Sequence, residues 1–272
     1  MIQLSPEPVE SKDPIQRILQ EPVSSSRLNL FHGCRMRFYF RYVLQLEKPV
    51  AAALHVGKSV HHVLQHWNKQ RWLKKPLHTH ELQALLEHAW KELQSTETVR
   101  FDSAEDEHEE KQKAWRLLEM YFEQTPVALD ETPEAVEVLV ETDLHKHGLP
   151  SLRGVIDLIR PGGVIVDFKT TATSPQEQLV LHRNERQLSC YALLYREATG
   201  SRERGFELHH LVKTKTPKLV VTKHRPMTAI QESRLLRSIE SFVDGVQRAD
   251  WVRSPGLQCS SCEYFNECRS SL

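Results

Sequence analysis

The 272-residue sequence lacks any stretch of roughly 18 consecutive apolar residues, the length a helix needs to cross a bilayer. No membrane span and no membrane partner are expected. It also lacks a basic start followed by an apolar run, because residues 1–26 carry acidic, proline and serine positions (MIQLSPEPVESKDPIQRILQEPVSSS), and a cytoplasmic location is expected. Neither sign of charge is in excess: Lys plus Arg and Asp plus Glu number 36 each, so any nucleic-acid contact has to come from a local basic patch. Cysteine is scarce and odd in number, five in all, which in a reducing compartment argues against a disulfide framework and for metal or cluster ligation. There are no repeats or low-complexity tracts, and no G-x-x-x-x-G-K-[ST] phosphate cradle of a helicase motor, so the chain acts alone or as a partner subunit.

What is present is the 39% apolar and 26% charged content of a globular protein, long enough to bury a sizeable core. Residues 1–25 read as a flexible leader and 26–272 as a single domain: a helical part over 26–130, a sheet core over 131–225, and a C-terminal helix with a Cys-rich tail over 226–272. Ser26 or Asn29 is placed to cap one or two short helices carrying Leu28, Leu30, Phe31, Phe38, Tyr39 and Tyr42. Residues 57–73, 79–94 and about 106–124 have helical periodicity. From Ala135 the period changes to alternation (AVEVLVETDL), followed by LRGVIDLIR and GGVIVDFKT around Pro161-Gly162-Gly163, which predicts a hairpin. A helix over 177–198, strands over 206–213 and 218–224, and a helix over 228–249 complete the order.

With a three-residue loop at Pro161-Gly162-Gly163, Arg160 faces Val164, and counting back sets Asp157 opposite Asp167 with Lys169 on the same face. Two carboxylates that close repel unless a divalent cation lies between them, and oxygen ligands with open water positions suit Mg2+ or Mn2+. A cation there can polarise a phosphoryl oxygen and acidify a bound water while a lysine steadies developing charge, which is the chemistry of phosphodiester hydrolysis. The blander alternative is that both aspartates lie on solvated strand faces and Lys169 merely pairs with one.

Gly154-Val-Ile-Asp157 followed by Val166-Asp167-Phe-Lys169-Thr170 resembles the core of the PD-(D/E)XK nuclease superfamily, specifically its RecB-like branch, with pattern G-x-x-D and then D-x-K. That branch carries G-x-x-x-H-x-x-L on an early helix, matched by Gly57, His61 and Leu64, and the resemblance implies that His61 joins the metal shell; His62 is adjacent but off register. A Gln-x-x-x-Tyr motif is matched by Gln187 and Tyr191, one helical turn apart, which in relatives support the site and contact DNA. Glu141 resembles the acidic residue of the preceding strand, with Glu137 and Glu134 competing for the role. The resemblance thus implies a cation held by Asp157, Asp167 and His61, with Glu141 and the Phe168 main-chain carbonyl as further ligands and Lys169 assisting the attacking water.

Cys259, Cys262 and Cys268 stand at spacings that suit a metal or cluster and want a fourth ligand. Cys190 sits mid-helix between Leu188 and Tyr191, where a buried hydrophobe is the natural role, so Cys34 is the better partner. The split pattern resembles the [4Fe-4S] staple of AddB-type and CRISPR-associated RecB-like nucleases, while structural Zn2+ competes on residue types alone. Arg35, Arg37 and Arg41 among Phe38, Tyr39, Phe40 and Tyr42 suit phosphates and stacked bases, or else a core with a solvated face; Lys213, Lys215, Lys218, Lys223 and Arg225 form a second basic stretch.

The expectation is an α/β (α+β) fold with a restriction-endonuclease-like core, a central mixed sheet flanked by helices, an N-terminal helical region and a C-terminal Fe-S tail. Its activity would be that of a metal-dependent DNA exonuclease on single strands or DNA ends, in repair, recombination or CRISPR-type processing, with a helicase or integrase as partner. The alternative is a non-catalytic DNA-binding or assembly subunit of a helicase-nuclease or spacer-acquisition complex.

Overall fold

The computed structural model describes residues 13–75, 77–128 and 130–270. Contacts divide the chain into two compact units: one takes in the described residues up to Glu47, 141–153 and those from Ser233, the other 48–140 and 154–232. Neither is continuous in sequence, and no local signal marks such boundaries.

The first unit begins with α1 (Pro14–Gln20). Asp13 caps it through the Ile15 N–H and Pro14 occupies the first turn, where a missing N–H costs nothing. Ile18 is buried and Val23 bridges Leu152 in parallel, so the expected leader is ordered over its second half; its residues 1–12 lie outside the described residues. Ser24, rather than Ser26 or Asn29, caps α2 (Ser25–Gly33), and after Cys34 come α3 (Arg35–Phe38) and a π-helical turn over Tyr39–Val43. Phe31 and Phe38 pack edge-on against each other and against Phe242.

In the second unit β1 (Val50–Ala51) leads into α4 (Ala52–Trp72), then α5 (Thr79–Thr96), β2 (Val99–Arg100), which pairs with β1 in parallel, and α6 (Ala104–Gln124). The five-stranded sheet has the order β3 (Ala135–Thr142), β4 (Leu152–Arg160), β5 (Val164–Thr171), β6 (Gly205–Val212), β7 (Lys218–His224). β5 and β6 are parallel because α7 (Glu177–Thr199) crosses between them, whereas β4–β5 and β6–β7 are antiparallel. α8 (Ala229–Gln247) and α9 (Phe265–Ser270) follow.

Period-two alternation divides the central strands. Val166, Phe168, Leu158 and Leu211 enter one core with Val60, Leu64 and Trp67 of α4 and Leu117, Leu118 and Tyr121 of α6. Burial of such side chains stabilises by about 1.5–3 kcal/mol each. Asp167 and Lys169 point to the other face, toward α7. Among the described residues no helix is long and apolar enough to cross a membrane.

Candidate active site

The hairpin register runs as the loop length predicts, with Arg160 opposite Val164, Ile159 opposite Ile165 and Leu158 opposite Val166. Gly162 and Gly163 make the turn at φ +79° and +74°, a backbone region that only glycine enters cheaply. One step beyond the paired residues, the Phe168 N–H donates to Asp157 Oδ2 at 2.9 Å. The carboxylate thereby becomes part of the strand pairing and is fixed beside Asp167.

Asp167 is 2% exposed. Its Oδ1 accepts from Gln187 Nε2 at 2.8 Å, and Lys169 Nζ stands 2.9 Å from its Oδ2. Gln187 Oε1 in turn accepts from Lys169 Nζ at 2.6 Å, while Nε2 also donates to Tyr191 Oη at 2.8 Å. Gln187 and Tyr191 lie one turn apart on α7, so one helix face reads both ends of the Asp167–Lys169 pair. The Tyr191 hydroxyl is pushed upward, first by burial and then by Asp167 and Asp157, and stays protonated.

Burial raises Asp157 well above the ordinary carboxylate range, Asp167 and Glu137 push it further, and the Phe168 N–H and Lys169 act against them. His61 on α4 lies with Nδ1 3.6 Å from Asp157 Oδ2. Burial lowers its basicity, the Asp167 charge and a hydrogen bond to the Phe168 main chain oppose this, and Lys169 reinforces it. α4 comes this close to β5 because residue 57 is glycine: a Cβ there would lie 2.9 Å from Thr170 Oγ1.

Asp157, Asp167, Lys169, Gln187, Tyr191 and His61 are therefore gathered in the second unit, with the Phe168 backbone among them. Glu141 belongs to the first unit, where it is exposed and tied to Arg153 at 2.7 Å. Glu137 is the acid of β3 whose charge reaches Asp157, at a residue where the strand takes φ +48°. His210 on β6 is a nearby residue that sequence reasoning did not single out; Lys169 is its register partner and the charges of Asp167 and Lys169 act on its ring.

Among the described residues no group of three or more His, Cys, Asp and Glu side chains is drawn together tightly enough to hold a metal ion. The donor chemistry nevertheless fits a hard cation. Two carboxylates share the site, and Asp167 Oδ2 has no hydrogen-bond partner among the described residues besides its ion pair with Lys169. Mg2+ is commonly bound by one or two carboxylates completed by water and substrate phosphate, and it needs no closed protein cage.

In the first unit no disulfide joins Cys34, Cys259, Cys262 and Cys268. Cys34, Cys262 and Cys268 pack on one small cluster of Met36, Phe40 and Tyr264, while Cys259 lies in the 3-10 turn Leu257–Ser261 and its carbonyl accepts from the Cys262 N–H. The Cys262 thiol is raised by burial, with Cys34 adding to it. Cys190 is fully buried and pushed up to about 12 by burial, as fits a core side chain.

The arginine-aromatic segment is packed. Phe38 and Phe40 are buried, Tyr39 packs at a tilt against Trp251, Arg35 pairs with Asp250 and Arg37 with Glu263; Arg41 is exposed. Of the second basic stretch, Lys215, Lys218, Lys223 and Arg225 are exposed, with Lys223 3.1 Å from Glu207.

The sequence model of the PD-(D/E)XK nuclease superfamily matches residues 22–269. The chain belongs to this superfamily. The mixed five-stranded sheet flanked by helices is its restriction-endonuclease-like fold. A crystal structure from Eubacterium rectale, of a protein assigned by inference as an exonuclease, superposes with TM-score 0.61 over 100% of this chain and 94% of that one at 16% identity, a likeness of fold. The solved structure of SSO0001 aligns over 51% of this chain and 60% of that one at TM-score 0.36 and 15% identity. No curated protein matches the chain.

Proposed function

We propose that the protein is a metal-dependent deoxyribonuclease that removes nucleotides from single-stranded DNA or DNA ends. The observation that carries this reading is the joining of Asp167 and Lys169 through Gln187, with Asp157 on the adjoining strand. Asp157 and Asp167 would hold Mg2+ or Mn2+ with His61 and the Phe168 carbonyl, and the cation would supply Lewis acidity toward a phosphoryl oxygen and a more acidic bound water. Asp157, pinned by the Phe168 N–H, presents its second oxygen in a fixed direction. Lys169 donates to the attacking water or the phosphate, and Gln187 holds its ammonium in line, so little reorganisation is needed when charge develops.

Cys34, Cys259, Cys262 and Cys268 are proposed as ligands of a structural [4Fe-4S] cluster, with Zn2+ as the competing occupant. Cys34, Cys262 and Cys268 each pack against the same small hydrophobic cluster, and this shared neighbourhood is what supports the reading. Metal analysis and the visible spectrum of anaerobically purified protein separate the two. A helicase or integrase partner would be sought by co-purification.

Substrate class is tested by giving the protein end-labelled linear DNA and circular DNA, single-stranded and duplex, with Mg2+ or Mn2+. Mononucleotide or short-oligonucleotide release from linear single strands, with circles intact, supports the exonuclease reading. Cutting of circles at a comparable rate overturns it in favour of an endonuclease.

A further inference from the structure

His209 and His210 are neighbours on β6 with opposite surroundings. His209 belongs to a completed network, its Nδ1 3.0 Å from Tyr121 Oη and its Nε2 3.2 Å from Glu207. His210 is 4% exposed, and neither ring nitrogen has a hydrogen-bond partner among the described residues. Buried polar side chains are nearly always paired, so an imidazole left with both nitrogens idle calls for a partner that arrives in another state of the site.

The register identifies that partner. Lys169 on β5 and His210 on β6 are cross-strand partners in a parallel pair, and such partners present their side chains to one face of the sheet. Asp167, two residues before Lys169, shares this face, and its charge and that of Lys169 are the two strongest electrostatic influences on the His210 ring. Burial is the larger effect and disfavours the imidazolium, which leaves one ring nitrogen as an acceptor.

The Asp167 carboxylate is meanwhile occupied on both oxygens, by Gln187 on Oδ1 and by the Lys169 ammonium on Oδ2. A divalent cation drawing on Oδ2 would face a positive charge at the same atom, and in a low-dielectric site that repulsion forces one of them away. The lysine remains anchored on its other side by Gln187 Oε1.

We propose that His210 is a positioning residue that receives Lys169: when a divalent cation takes Asp167, the ammonium leaves Oδ2 and donates to a His210 ring nitrogen while keeping its bond to Gln187. This inference rests on the nuclease reading of the site. It makes Lys169 a group with two resting places on one sheet face, and it makes cation affinity depend on a histidine that need not touch the cation.

The test is a double-mutant cycle on the full chain with Mn2+ alone as the probe, followed by electron paramagnetic resonance. The variants are His210→Leu, Lys169→Met and their combination. His210→Leu is expected to weaken Mn2+ about tenfold, about 1.4 kcal/mol, while Lys169 is present and to have no effect once Lys169 is methionine. His210→Asn, which restores an acceptor, recovers part of the affinity, and its kcat falls less than that of His210→Leu at similar KM. Equal loss in both backgrounds, or no loss in either, overturns the proposal. A second measurement needs no variant at His210: with 15N-labelled histidine, Mg2+ shifts a His210 ring nitrogen in the native protein and leaves it in place in Lys169→Met. An unmoved resonance in both overturns the proposal. If native protein neither binds Mn2+ nor cuts DNA, the nuclease reading has failed; if it does both and the cycle shows no coupling, only the role of His210 has.

Discussion

Gln187 Nε2 lies 2.8 Å from Asp167 Oδ1, and the carbonyl of the same amide receives Lys169. One neutral side chain thus donates to an anion and accepts from a cation at once, through the two ends of its amide. Gln187→Leu leaves Asp167 Oδ1 buried without a donor and is expected to cost about 1–3 kcal/mol of stability, with kcat reduced at least tenfold. Gln187→Glu turns the donor into a third carboxylate. In EDTA it should melt lower than native protein, and Mg2+ should raise its melting temperature more than that of native protein. Equal Mg2+ shifts in calorimetry would contradict the arrangement.

Asp157 gives a pH-dependent prediction. Its folded-state pKa is raised above the usual aspartate value of 3.8 by burial, Asp167 and Glu137. Between those two values the folded form binds the extra proton, so stability falls as pH rises through the folded pKa, and the full penalty is present above it. Asp157→Asn removes the penalty and keeps an oxygen for the Phe168 N–H. Its melting temperature in EDTA should exceed that of native protein at pH 8, by about 2–4 °C for each kcal/mol relieved, and the gain should vanish as pH falls to about 4.

Glu207 shows the reverse sign. Burial works upward on it, yet His209, Lys223 and Arg160 together take it down to about 2. A depressed carboxylate contributes stability that is present above its unfolded value and lost as pH falls through its folded one. Arg160 spans Glu207 and Glu131 at 2.7 Å each, so Glu207→Gln leaves part of a buried network unpaired. The expected loss is about 3 kcal/mol at pH 7, read by urea unfolding, with the gap to native protein narrowing below pH about 4.5.

The approach of α4 to β5 rests on Gly57. Gly57→Ala places a methyl carbon 2.9 Å from Thr170 Oγ1 and is expected to destabilise by about 1–3 kcal/mol. Thr170→Ala in the same chain should recover most of this, and Thr170→Ser, which keeps the oxygen, should not. Equal recovery by both would show that the clash lies elsewhere.

The helices and the hairpin were legible because periodicity and turn chemistry are local: the Pro161-Gly162-Gly163 turn fixed the Arg160–Val164 register and with it the approach of Asp157 to Asp167. Non-local relations were not legible. The register of β6 against β5 is set after the long α7 crossover, so nothing in the sequence placed His210 beside Lys169. On β3, alternation alone does not choose between Glu137 and Glu141; Arg153 engages the second, and Glu137 acts on Asp157. The Asp13-Pro14 start of α1 was a readable capping signal, masked by the polar composition around it. For the aromatic rings at 38–42 the sequence allowed a stacking surface but favoured core, and Phe38 and Phe40 are core.

The most direct test of the central claim is degradation of end-labelled single-stranded and duplex DNA by anaerobically purified protein in Mg2+ or Mn2+, with Asp167→Ala and Lys169→Ala alongside. Cation-dependent cleavage that falls at least about 10²-fold in both variants, with their folds intact by circular dichroism, is the predicted result. No cleavage by well-folded native protein under any of these conditions, or cleavage that survives both substitutions, would contradict the assignment of this site.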